Sequence, residues 1–279
     1  MNKTVILIGL AILIIVSAVV VVRTNSSLAP SSNETTNTLP SIDETANSQM
    51  FVTPGPFNVT AESVSYYQSA NGYYAAPAQT GQYPGVVMIH EWWGLNDNIK
   101  EMARLLGSKG YHVLAVDLYN GKVATDATGA RQLTSSLDKA QAIANMKSAI
   151  SYLKEKGATK MASLGWCFGG GQSMQLSLSG EKLDATVIYY GQLETDQKKL
   201  SAIKWPVLGI FGEADQSIPV EAVNKFDKSL DVLKIENEIY IYPGVGHAFA
   251  NPSGQSYAPN ETKDAWGKTI DFLEKSLKS

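Results

Sequence analysis

The chain has 279 residues, 44% of them hydrophobic and 18% charged, with 23 Lys+Arg against 26 Asp+Glu and a formal net charge of −3. That length accommodates one large domain or two small ones, and the ordinary apolar content excludes a wholly disordered chain. Near-balanced charge gives no electrostatic case for a nucleic-acid partner. One cysteine, Cys167, excludes an intrachain disulfide or a cysteine-cluster zinc site, and three histidines, His90, His112 and His247, speak against a His-rich metal centre.

Val5 to Val22 is an apolar run broken only by Gly9 and Ser17, with Lys3 before it and Arg23 after it. As a helix it would extend about 27 Å, close to the hydrocarbon thickness of a bilayer. It is longer than the usual apolar region of a secretory signal, and Val-Ser-Ala-Val is a poor cleavage site. Residues 1–23 are therefore expected to be an uncleaved signal anchor or transmembrane helix, the alternative being a cleaved signal and a secreted protein. Residues 24–50, rich in Ser, Thr and Asn with Pro30 and Pro40, read as a disordered tether. Asn-x-Ser/Thr tripeptides at Asn25, Asn33, Asn58 and Asn260 add mild support for export. The expected arrangement is a domain at 51–279 held outside the cytoplasm.

Within that domain, Phe57 to Tyr67 and Tyr73 to Ala76 read as opening strands separated by a turn at Asn71-Gly72. Gly85-Val-Val-Met-Ile-His is a short continuous apolar run, as a strand covered on both faces should be. The spacing of Ile99, Met102, Ala103, Leu105 and Leu106 predicts a helix over 96–108, with Gly110 beyond its end. A strand over 111–119, a helix over 135–155, a strand from Met161 and a helix through Leu178 follow. Later strands fall at Ala185, Val207 and Glu238, with helices over 219–233 and 261–277. Strands alternating with helices require crossovers, hence a mostly parallel central sheet with helices on both faces. Ligands of such sheets sit outside the carboxyl ends of the strands.

Three strand ends carry chemistry. The first is Gly165-Trp-Cys167-Phe-Gly169, where small neighbours on both sides suit a nucleophile on a tight strand-to-helix turn. The nearby helix N-terminus favours a thiolate. The second is Gly212-Glu-Ala-Asp215 and the third Gly244-Val-Gly-His247. Nucleophile, acid and histidine in that chain order are what a hydrolase sheet would present. Cys167 would attack a carbonyl carbon, His247 would relay protons, and Asp215 would orient the ring. The backbone N–H of Phe168 is one natural oxyanion donor, and a second must come from His90-Glu91-Trp92-Trp93-Gly94. Glu91, beside two tryptophans, either has a raised pKa or forms an ion pair with Lys100 or Arg104.

His-Glu-x-x-Gly-Leu-Asn at 90–96, Val-Asp-Leu-Tyr at 116–119, Gly-x-Cys-x-Gly-Gly at 165–170, Gly-x-x-Asp at 212–215 and Gly-x-x-His at 244–247 resemble the dienelactone hydrolases (carboxymethylenebutenolidases). The resemblance covers about residues 55–277. It implies an α/β-hydrolase fold and cofactor-free hydrolysis of a lactone or carboxylic ester through an acyl-enzyme, with the triad on Cys167, Asp215 and His247. It places the family's thiol-holding glutamate on Glu91 and the second oxyanion N–H on Trp92. The family's type member has a carboxylate-binding arginine four residues after the histidine, where this chain has Asn251; its other binding arginine lies in the loop after Asp-Leu-Tyr, where this chain offers Arg131 and Lys122. Trp93 and Trp166 complete the expected substrate contacts, and weak discrimination against uncharged esters is expected. The partner is a small-molecule ester or lactone, no metal is called for, and the catalytic domain is expected to be monomeric. An exported esterase or peptidase of the same fold, or a non-catalytic binding protein on the same scaffold, are the alternatives.

Overall fold

A computed structural model of the chain describes residues 53–279. The expected anchor at 1–23 and tether at 24–50 lie outside the described residues. Within the described residues no helix is long and apolar enough to cross a membrane.

Eight strands form one sheet: β1 (Val59–Tyr67), β2 (Ala70–Pro77), β3 (Gly85–Ile89), β4 (His112–Ala115), β5 (Met161–Trp166), β6 (Ala185–Tyr189), β7 (Val207–Gly212) and β8 (Asn237–Tyr242). Their order is β1-β2-β4-β3-β5-β6-β7-β8. The pairings β1·β2 and β2·β4 are antiparallel, and every pairing from β4 to β8 is parallel. Seven helices are interspersed among the described residues: α1 (Asp97–Ser108), α2 (Ala127–Ser135), α3 (Lys139–Glu155), α4 (Phe168–Leu178), the single turn α5 (Gln197–Leu200), α6 (Val220–Val232) and α7 (Pro259–Leu277).

The two-residue period of β3 explains its apolar run. Val86 and Met88 join a core with Leu105, Leu106, Trp266 and Phe272 of α1 and α7. Val87 and Ile89 join the opposite core, with Met146, Met174 and Phe226 of α3, α4 and α6. Both faces are buried, which is why the run is continuously apolar.

Three expected boundaries move, each for a local reason. The hairpin turn falls at Gln68-Ser69, with Gln68 at φ 44°, and Asn71-Gly72 lies inside β2. Gly72 is required there by close approach: a Cβ would stand 2.8 Å from the Tyr66 ring and 2.9 Å from the Ala115 carbonyl. The strand expected over 111–119 stops at Ala115, because the Asp117 carboxylate turns the chain by accepting from the N–H groups of Tyr119 (3.0 Å) and Gly121 (2.6 Å). The helix expected over 135–155 begins at Lys139, where Asp138 caps it by accepting from Ala140 N and Gln141 N. A separate helix, α2, precedes it.

Candidate active site

The carboxyl ends of β5, β7 and β8 bring Cys167, Asp215 and His247 together. Cys167 stands between β5 and α4 at φ 54°, ψ −117°, a backbone conformation that side-chain-bearing residues rarely adopt. The turn closes only because its neighbours are glycines. A Cβ on Gly165 would be 2.2 Å from the Gly169 carbonyl oxygen, and one on Gly169 would be 2.3 Å from that of Ile89.

The loops after β7 and β8 are stitched to each other. Glu213 N donates to Tyr242 O, Ala214 N to Val245 O, and Gly244 N to the Glu213 carboxylate. This fixes Asp215 against His247, whose Nδ1–H donates to Asp215 Oδ2 at 2.7 Å. The other Asp215 oxygen accepts from the N–H groups of Ser217 (2.8 Å) and Ile218 (3.1 Å). Burial opposes ionisation of Asp215, but these hydrogen bonds outweigh it and hold the carboxyl below its usual range. His247 Nε2 lies 3.0 Å from Cys167 Sγ. Burial works against charging this ring too, yet the contacts with Asp215 and Cys167 push His247 up to about 10. An imidazolium is the counter-ion a thiolate nucleophile requires.

Cys167 and His247 open onto a cavity of about 480 Å³, within the range of small-molecule sites. Trp92, Ile143, Phe168, Tyr190 and Ile218 form its apolar wall, and Lys139, Gln172, Gln175 and Gln192 its polar side. The N–H groups of Trp92 and Phe168 have no acceptor among the described residues. Phe168 N–H belongs to the first turn of α4, where no intrahelical acceptor exists.

Glu91 is 4% exposed and does not pair with lysine or arginine: Lys100 binds Asp97, and Arg104 faces Glu101. Its Oε2 accepts instead from the side-chain amide of Asn251. Burial raises Glu91 to about 7, against the smaller opposing effects of His247 and Asn251. Here the carboxylate meets Asn251, not the thiol.

The four residues expected to contact substrate, Trp93, Trp166, Arg131 and Asn251, all lie off the cavity wall. Asn251 is buried beside Glu91, and its Oδ1 accepts from Ser253. Trp166 is in the core against Tyr189, Trp93 packs edge-on against Trp92, and Arg131 is exposed on α2. Sequence reasoning missed Lys139 and Tyr190. The latter packs edge-on against the His247 ring with centroids 5.3 Å apart. Neither sits in a motif, and only the cavity reveals them.

Residues 70–277 match the model of the dienelactone hydrolase family. The chain belongs to that family. It is 30% identical over 264 residues to a putative carboxymethylenebutenolidase of Saccharolobus solfataricus, covering 78% of this chain and all of that one. It is 33% identical over 219 residues to Protein usf of Aquifex pyrophilus, covering 74% and 93%. Among solved structures, a putative dienelactone hydrolase from Klebsiella pneumoniae superposes with a TM-score of 0.72 at 25% identity, over 78% of this chain and 99% of that one. The sheet and its helices are thus an α/β-hydrolase-like fold, and this dienelactone hydrolase family member is a hydrolase.

Proposed function

We propose that this hydrolase cleaves a lactone or carboxylic ester by covalent catalysis at Cys167. The observation that carries the reading is the continuous relay from Asp215 through His247 to Cys167 Sγ at the wall of the cavity. The thiolate attacks the substrate carbonyl carbon, and the carbonyl electron pair moves onto oxygen. The N–H groups of Phe168 and Trp92 receive that oxyanion. As the intermediate collapses, the C–O bond to the leaving alcohol breaks and His247 Nε2–H protonates the departing oxygen, leaving a thioester on Cys167. In a lactone that alcohol stays joined to the acyl group. Water then attacks the thioester carbon, His247 takes its proton, and the thiolate departs with the acid released. Asp215 keeps the ring in one tautomer throughout.

The cavity suits an acyl group or ring laid against Trp92 and Phe168, with its polar end toward Lys139 and the glutamines. The reaction needs no cofactor. The apolar run at Val5–Val22 supports a membrane-anchored enzyme, and the polar stretch at 24–50 with its Asn-x-Ser/Thr tripeptides supports a catalytic domain outside the cytoplasm.

A panel of small esters and lactones, with Cys167→Ala in parallel, tests the reading. Turnover should vanish in the alanine variant, and a stalled acyl adduct on Cys167 should be visible by mass spectrometry with slow substrates. Near-normal hydrolysis by the alanine variant would overturn covalent catalysis.

A further inference from the structure

His90 is fully buried at the end of β3, one residue before Glu91, and takes no part in the relay. Its hydrogen bonds fix its tautomer. The Leu118 N–H can only donate, so Nε2 accepts from it at 3.3 Å, and the proton sits on Nδ1. Nδ1–H then donates to the Glu91 carbonyl oxygen at 2.6 Å. Burial lowers His90 to about 4, which keeps the ring in this neutral form.

The Glu91 carbonyl and the Trp92 N–H are two ends of one peptide group. In a trans peptide they point in opposite directions within one plane, so holding the carbonyl fixes where the N–H can point. A second donor, Gly94 N–H, reaches the same carbonyl at 3.2 Å. Two donors on the oxygen also polarise the group and strengthen its N–H as a donor.

The ring itself is held. It lies against Tyr119 at 4.8 Å and stacks on Phe168 at 5.9 Å with 24° between planes. The segment supplying Leu118 N–H is anchored by the Asp117 carboxylate, which accepts from Asn71, Tyr119 and Gly121. One imidazole therefore touches the peptide group that carries the Trp92 N–H and the side chain of Phe168, which bears the other free N–H at the cavity wall.

We propose that His90 is a positioning residue for the oxyanion hole, orienting the Glu91–Trp92 peptide through its Nδ1–H. This rests on the reading of Trp92 N–H as an oxyanion donor and of Cys167 as the nucleophile.

The test compares ester hydrolysis with alkylation of Cys167 by iodoacetamide in wild type, His90→Gln and His90→Asn. Alkylation displaces iodide at a saturated carbon and forms no oxyanion, so it reports the thiol without the hole. Asparagine carries its amide nitrogen near the position of Nδ1, whereas glutamine reaches the position of Nε2. For His90→Gln, kcat should fall roughly 10–100-fold with KM and alkylation rate little changed, less than or comparable to losing an oxyanion donor outright. His90→Asn should recover most of that loss. Wild-type kcat in His90→Gln overturns the proposal. So does a parallel fall of hydrolysis and alkylation in both variants, because the ring would then act on the thiol or on the fold. Hydrolysis that survives complete alkylation of wild-type Cys167 removes the thiol reading itself, a separate and recognisable failure.

Discussion

Glu91 and Asn251 meet in the protein interior across 160 positions of sequence, the amide of one donating to the carboxylate of the other. The partner is neutral, so it solvates the carboxylate without offsetting its charge. Burial outweighs both that hydrogen bond and the charge of His247, and Glu91 sits near 7 rather than at its ordinary 4.5.

The raised value fixes the signs of a pH experiment. Below about pH 4.5 the carboxyl is protonated in folded and unfolded chains and costs nothing. As pH rises from 4.5 to about 7 the unfolded chain ionises first, so stability falls through that window and stays lower above it. Glu91→Gln should therefore gain melting temperature relative to wild type across the window and hold the gain above pH 7. If the ionised carboxylate assists the thiol, kcat/KM in wild type should also rise with a limb near pH 7. That limb should be absent in the variant, whose rate should fall by about 10²–10⁴-fold. A stability change with an unchanged rate profile would assign Glu91 a structural role only.

His247 titrates in the opposite sense. Its folded value of about 10 exceeds the ordinary 6.5, so the stability it contributes is fully present below pH 6.5 and is lost as pH rises to 10. The melting temperature of His247→Gln should lie below that of wild type at pH 6 and converge with it as pH approaches 10. Asp215→Asn leaves the ring without its anionic partner, and kcat should drop by roughly 10²–10⁴-fold with the fold intact by circular dichroism.

Lys139 stands at the cavity wall, whereas Arg131 does not. An exposed lysine is a hydrated point charge and binds a carboxylate less firmly than a buried arginine fork. Preference for a dienelactone over its neutral methyl ester should thus be modest, about tenfold or less in kcat/KM. Lys139→Gln should abolish it, and Arg131→Ala should leave it unchanged. A strong preference that survives Lys139→Gln would locate the carboxylate elsewhere.

The apolar run at Val5–Val22 carries its own expectation. Full-length protein should stay in the membrane fraction through high-salt and carbonate washes, since apolar burial is insensitive to both. Mass spectrometry that finds a mature N-terminus near residue 20 or later would replace the anchor with a cleaved signal.

Replacing Cys167 by serine should leave at most a trace of activity. Its hydroxyl is far harder to ionise than a thiol, and the proposed mechanism uses the sulfur as the nucleophile. Steady-state assays on a nitrophenyl ester distinguish a trace from a working serine enzyme.

What the sequence determined by itself was local. The apolar run of β3, the helical spacing from Ile99 to Leu106, and the glycines at 165 and 169 each specify short-range geometry, because strand period, helix period and tight turns depend on neighbours within a few residues. The chain order of Cys167, Asp215 and His247 was legible for the same reason: each follows an apolar run that reads as a strand. Tertiary structure decided the rest. Gly72 reads as a turn former, yet it serves a close approach by Ala115, which only strand pairing creates. Asn251 reads as a gap in a substrate-binding pattern, yet it solvates Glu91 from 160 residues away. The positions of Lys139, Tyr190 and His90 follow from which loops converge at one end of the sheet. That convergence is set by strand order and crossover packing, long-range pairings that leave no periodic mark in the residues that make them.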